Sequence, residues 1–133
     1  MRSIIVVILF MVLFFASGCV DKDKPVVTTK ITIMETDGEP QITQLQVETD
    51  SVNRLEEYRD MSPPFPCVAL TVIKDMREIG YRRYKSYTGE GEYEITTDLR
   101  TVPDTGNTVD VIVKVYDGMG NTLCKKRTPL QWQ

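Results

Sequence analysis

The chain has 133 residues and a formal net charge of −3, from 16 Lys and Arg against 19 Asp and Glu. That length holds one ordinary domain, and its acidic balance lacks the basic excess that a nucleic-acid partner calls for. Histidine is absent, which excludes Ser-His-Asp and Cys-His nucleophile pairs within the chain and zinc or facial-triad sites that depend on imidazole. A general base would have to be a carboxylate, lysine or tyrosine with a displaced pKa.

The amino terminus opens with Met1-Arg2, continues through the unbroken apolar run Ile4–Phe15, and reaches the small residues Ala16-Ser17-Gly18 before Cys19. Charge then rises at once with Asp21, Lys22, Asp23 and Lys24. A positive start, an apolar stretch and small residues at the cut make the layout of an export signal. The run is shorter than the roughly 20 residues a spanning helix needs. Ala16-Ser17-Gly18-Cys19 resembles the lipobox of bacterial and archaeal lipoproteins, although leucine is the more usual residue at the position of Ala16. In that family the cysteine is acylated on sulfur by a diacylglyceryl group, and the peptide before it is removed. The resemblance rests on residues 1–19 and implies a signal peptide over 1–18 and lipidation at Cys19, where two acyl chains give stable anchoring. A plain signal peptide cut after Gly18 and an uncleaved short anchor remain open. All three readings place the rest of the chain outside the cytoplasm or facing away from it, and the lipoprotein reading places it in the cell envelope, lipid-anchored to the membrane and facing outside the cytoplasm. Loss of residues 1–18, with Arg2 as their only charge, leaves 115 residues at −4.

Residues 19–25 read as a short charged tether that ends in Pro25, and residues 26–133 as one domain. From Val26 the hydrophobic period is two. Val27, Thr29, Ile31 and Ile33 alternate with Thr28, Lys30, Thr32 and Met34, and Ile42–Val47 alternates more weakly. Ser51–Met61 carries Val52, Leu55 and Tyr58 at helix-like spacing. It predicts a short helix near 51–61 with Ser51 as its cap, ended by Pro63-Pro64-Phe65-Pro66. Cys67–Ile73 is apolar on both faces, as a central strand is. Ile79–Tyr87 and Tyr93–Thr97 follow as strands. Val109–Tyr116 places four valines on one face. Asp117-Gly118-Met119-Gly120-Asn121 then turns the chain into a partner strand at Leu123–Thr128.

Seven strand candidates predict an all-β sandwich. Gly91–Ile95, Val102–Gly106 and the stretch VDVIVKVYDGMGNTL resemble the last strands of immunoglobulin-like or fibronectin-type-III-like domains on prokaryotic cell surfaces. The resemblance implies an immunoglobulin-like β-sandwich. The sequence departs from it in lacking a tryptophan on a central strand, since the only one is Trp132.

Cys67 and Cys124 remain once Cys19 is acylated, and a disulfide between them and a pair of free thiols are both open. Cys124 alternates with Leu123 and could point outward. Without histidine, neither is an activated nucleophile. Tyr81, Arg82, Arg83, Tyr84, Lys85 and Tyr87 interleave aromatics with cations, a composition that stacks on sugars or binds anionic polymers. The simpler account is a strand whose tyrosines cover the core edge while its cations stay solvated. Tyr81, Arg83, Tyr84, Lys85 and Tyr87 are nonetheless the first candidate contact surface. In the Asp117–Asn121 turn only Asp117 and Asn121 could hold calcium, too few for an EF-hand loop, so a hairpin turn is predicted. Glu39, Glu48, Asp50, Glu56, Glu57 and Asp60 read as a solvated acidic surface, and no N-glycosylation sequon occurs.

The expectation is a non-enzymatic, lipid-anchored surface module with a binding or structural role, no metal and no cofactor. Its partners would be the membrane, through acylated Cys19, and an envelope protein or polymer. The alternative is a lipoprotein that binds a small ligand or glycan in a pocket between loops.

Overall fold

The computed structural model describes residues 23–53 and 65–133. The signal-like segment and Cys19 lie outside them, as does most of the stretch expected to be helical. Seven strands run β1 (Asp23–Thr36), β2 (Glu39–Asn53), β3 (Cys67–Lys74), β4 (Arg77–Ser86), β5 (Gly91–Asp98), β6 (Thr108–Tyr116) and β7 (Thr122–Gln131). They form two antiparallel sheets, A in the order β2-β1-β5 and B in the order β4-β3-β6-β7. The expected all-β sandwich is therefore present. At its long edges β2 lies against β7 and β5 against β4.

The alternation in β1 builds sheet A. Val27, Thr29, Ile31 and Ile33 are buried in the core, while Lys30 and Met34 face solvent. Asp37 (φ 55) and Gly38 (φ 79) form a two-residue turn between Thr36 and Glu39. Two left-handed residues give a turn whose twist matches that of its strands, which fixes the register of the hairpin. That pairing runs the whole length of β1, down to Asp23 opposite Asn53. Two expectations are corrected by it. Asp23–Pro25 belong to a strand rather than a tether, and Ser51 pairs with Pro25 as strand rather than capping a helix. Val52 likewise pairs as strand, opposite Lys24; residues 54–61 of the expected helix, with Leu55 and Tyr58, lie outside the described residues.

Sheet B supplies a continuous row of fully buried aliphatic side chains. Val68, Leu70 and Val72 of β3 and Val109, Val111, Val113 and Val115 of β6 all face inward at 0% exposure. Each such side chain contributes about 1.5–3 kcal/mol by leaving water. Trp132 is also buried, at the sandwich end where β1 begins. Its N–H donates to Asn107 O at 2.8 Å and its carbonyl accepts from Gly106 N at 2.8 Å. The chain's one tryptophan thus closes an end of the core instead of lying on a central strand. At the same end Leu99 N donates to Pro25 O and Arg100 N to Ile79 O, tying sheet to sheet. Leu99 fills the space that the missing side chain of Gly80 leaves, since a Cβ there would lie 2.7 Å from Leu99 Cδ2.

The β3-β6-β7 order matches the C-F-G neighbours of an immunoglobulin sandwich. The other sheet departs from it. β5 pairs with the first strand, β2 takes the edge, and β4 joins β3 rather than β5.

Candidate functional site: the outer face of sheet B

Strand β3 is largely apolar on the solvent side as well as the core side, and β6 adds Ile112 there between Asp110 and Lys114. On that outer face Cys67 is 0%, Ala69 1% and Ile112 8% exposed. A second layer covers part of it. The Phe65 ring lies 6.0 Å from the Tyr116 ring at 60°. The Arg83 guanidinium sits 4.7 Å over Phe65 and 5.8 Å from Tyr116, within cation–π range. Gly120, at φ +87, lets the β6–β7 turn pass beneath Phe65, since a Cβ there would meet the ring at 3.3 Å.

Register aligns the cations. Arg83, Ala69, Lys114 and Lys125 occupy one row across β4, β3, β6 and β7. The next row is Tyr81, Thr71, Ile112 and Arg127. Arg127 Nη2 is paired with Asp110 Oδ2 at 2.6 Å. Lys114 and Lys125 stand directly opposite one another, and like charges in that position are destabilising. Among the described residues neither has a carboxylate within ion-pair distance, and buried Arg83 Nε has no hydrogen-bond partner. Burial pushes the Cys67 thiol up, against the opposing effect of the Arg83 charge. Burial also raises the Tyr81 hydroxyl, again opposed by Arg83.

The sequence-predicted patch divides. Tyr81 and Arg83 lie on this face, but a register shift between Val68 and Ala69 makes Tyr84 an extra residue and ends the simple alternation. The Tyr84 hydroxyl accepts from Thr96 N across the sheets at 3.5 Å, and Arg82 stacks 4.1 Å over its ring. Lys85 is opposite Val68 and is solvent-exposed. Tyr87 donates to Glu35 at 3.1 Å. Its hydroxyl is pushed up to about 12 by burial and by that carboxylate. Phe65, Lys114, Tyr116 and Lys125 were not legible as members of the site, although the alternation of β6 placed Lys114 and Tyr116 opposite its valines.

Cys67 and Cys124 are free thiols. Cys67 is on the outer face of β3, whereas Cys124 packs against the core, with β6 between the two strands. A register shift at Val115/Tyr116 sets Cys124 opposite Val115 and leaves Leu123 exposed, reversing the orientation that simple alternation predicts. Burial raises the Cys124 thiol, opposed by a hydrogen bond from the Ile42 backbone.

The Asp117 turn is a hairpin, as expected. Asp117 Oδ1 accepts from Met119 N at 2.9 Å and Asn121 N at 2.8 Å, while Oδ2 accepts from Asn121 Nδ2 at 3.1 Å. These bonds, those from Asn121 foremost, hold its carboxyl below the ordinary value. Its oxygens are engaged by the turn itself. Among the described residues, no three His, Cys, Asp or Glu side chains converge as metal ligands.

The outer face of sheet A is different in kind. Thr28, Lys30 and Thr32 of β1 lie between Glu48, Gln46 and Gln44 of β2 and Thr96, Glu94 and Glu92 of β5. Thr28 and Thr96 hydroxyls are 2.9 Å apart. An open depression of about 480 Å³ runs over Lys30, Gln44, Gln46, Glu92 and Glu94. A second of about 480 Å³ lies beside the β4–β5 connection at Tyr84, Lys85, Thr88 and Glu90. Polar groups dominate the lining of both. Comparison with protein-family models, curated proteins and solved structures finds no match to this chain.

Proposed function

We propose that this chain is a lipid-anchored, non-catalytic binding module of the cell envelope, held to the membrane through acylated Cys19, with the outer face of sheet B as its contact surface. The observation that carries this reading is where the sandwich begins. β1 starts at Asp23, four positions after Cys19, and four residues reach at most about 14 Å. An anchor at Cys19 therefore holds the domain close to the membrane by the strand end that also carries Trp132 and the β5–β6 connection. Both sheet faces then point sideways, free to meet other envelope components. The contact surface is assigned to sheet B because Arg83, Lys114 and Lys125 have no carboxylate within ion-pair distance among the described residues, and stand over a partly apolar floor, and an anionic or carboxylate-bearing partner relieves both features.

The test is fractionation of cells that express the full chain and its Cys19→Ser variant. The reading predicts the unaltered chain in the membrane fraction and the variant released from it. Equal membrane retention of both would overturn the lipid anchor.

A further inference from the structure

The two outer faces carry opposite charge. Among the side chains described, sheet A presents Glu48, Glu92 and Glu94 around Lys30. Sheet B presents Arg83, Lys114, Lys125 and Arg127 around Asp110 and Glu78, on a chain whose net charge is −3. The cations of sheet B have one simple explanation, that lysines on edge strands discourage unwanted strand pairing. That explanation covers Lys125 on β7. It leaves out Lys114, which sits on β6 with a strand on either side and directly faces Lys125. Repulsion between them is costly unless an anion lies over the pair. The acidic face of another copy supplies carboxylates in the required form, because Glu92 and Glu94 are two positions apart on one strand and so project from the same face.

We propose that copies of this chain stack side by side, with the acidic outer face of sheet A on one copy against the Arg83–Lys114–Lys125 row of the next. This inference rests on the proposed contact surface and names its partner. The contact is heterologous, since two different surfaces meet, so each copy keeps one free face of each kind and the stack stays open rather than closing as a dimer. Anchoring by the strand end suits it, because both faces lie at the same height above the membrane in every copy. The attraction is electrostatic and exposed, so salt weakens it.

A zero-length carbodiimide, which joins a carboxylate and a lysine only when they touch, tests this on the full chain in its native membrane. The two outer faces point in opposite directions within one copy, so a link from Glu92 or Glu94 to Lys114 or Lys125 can form only between copies. The proposal predicts such links, a ladder of multimers, and at least a tenfold loss of both in 0.5 M NaCl. It also predicts loss in the double variant Lys114→Glu/Lys125→Glu, and recovery of the ladder, with the two variants alternating, when that variant is co-expressed with Glu92→Lys/Glu94→Lys. Circular dichroism of each variant confirms the sandwich is intact. Absence of these links from membranes at low salt, or a ladder unchanged by the reversal, overturns the proposal. If the chain stays monomeric yet binds an acidic polymer such as polyglutamate through Lys114 and Lys125, self-stacking fails while the contact surface stands.

Discussion

The two outer faces of the sandwich solve the same problem differently. Sheet A turns threonines, glutamines and glutamates outward and, among the described residues, buries only Val26 and Thr96 on that side. Sheet B buries Cys67, Ala69 and Ile112 on the side away from the core and lays Phe65, Arg83 and Tyr116 across part of them. An apolar floor on a solvent face is unnecessary for closing a core that the inner valines already fill. The difference teaches that one sandwich can present a partly covered apolar floor with cations on one outer face and a polar, acidic surface on the other.

Removing apolar volume separates the faces most sharply. Ile112→Ala on the outer face of sheet B is expected to cost about 2–5 kcal/mol, as for a core isoleucine, whereas Thr32→Ala on the outer face of sheet A stays within about 0.5 kcal/mol. Urea denaturation of both variants measures this, and equal costs would erase the distinction between the faces. A smaller effect is expected from Phe65→Ala, which removes a cation–π partner of Arg83 worth about 0.5–2 kcal/mol and opens the way to Cys67. Its clearest readout is labelling by a maleimide. Cys67 should react at least tenfold faster in the variant, while Cys124, on the core side, keeps its rate.

The smallest effect concerns Tyr87, which belongs to neither outer face. Its hydroxyl is ordinarily ionised near 10 and is raised to about 12 in the fold. Between those values the folded chain holds a proton that the unfolded chain has released, so the stabilisation is complete below pH 10 and fades as pH rises toward 12. A Tyr87→Phe variant should lose the hydrogen bond to Glu35, at about 0.5–1.5 kcal/mol, and show a shallower fall of stability across that window. An unchanged alkaline limb would remove Tyr87 as its source.

Much of the fold was legible because sandwich strands announce themselves by a period of two. β1, β3 and β6 each followed from their alternating or doubly apolar runs, and the Asp117 turn from its glycines. What escaped was whatever a bulge decides. One extra residue at Tyr84 divided the aromatic–basic strand between two environments, and one near Leu123 turned Cys124 inward. The site was half legible for the same reason. Tyr81 and Arg83 were found as neighbours in sequence, but Phe65, Lys114 and Lys125 join them only through strand order, which no local pattern encodes. Trp132 closes an end of the core through backbone bonds to Gly106 and Asn107, a placement that composition alone does not give.

The reading of the whole molecule depends on the anchor, because a sandwich held by its strand end is what frees both faces. The most direct measurement is the intact mass of the protein extracted by detergent from its native membrane. The account predicts a species that starts at Cys19 and carries added diacylglyceryl mass. A species that starts at Cys19 without lipid, or one that still begins at Met1, would contradict it.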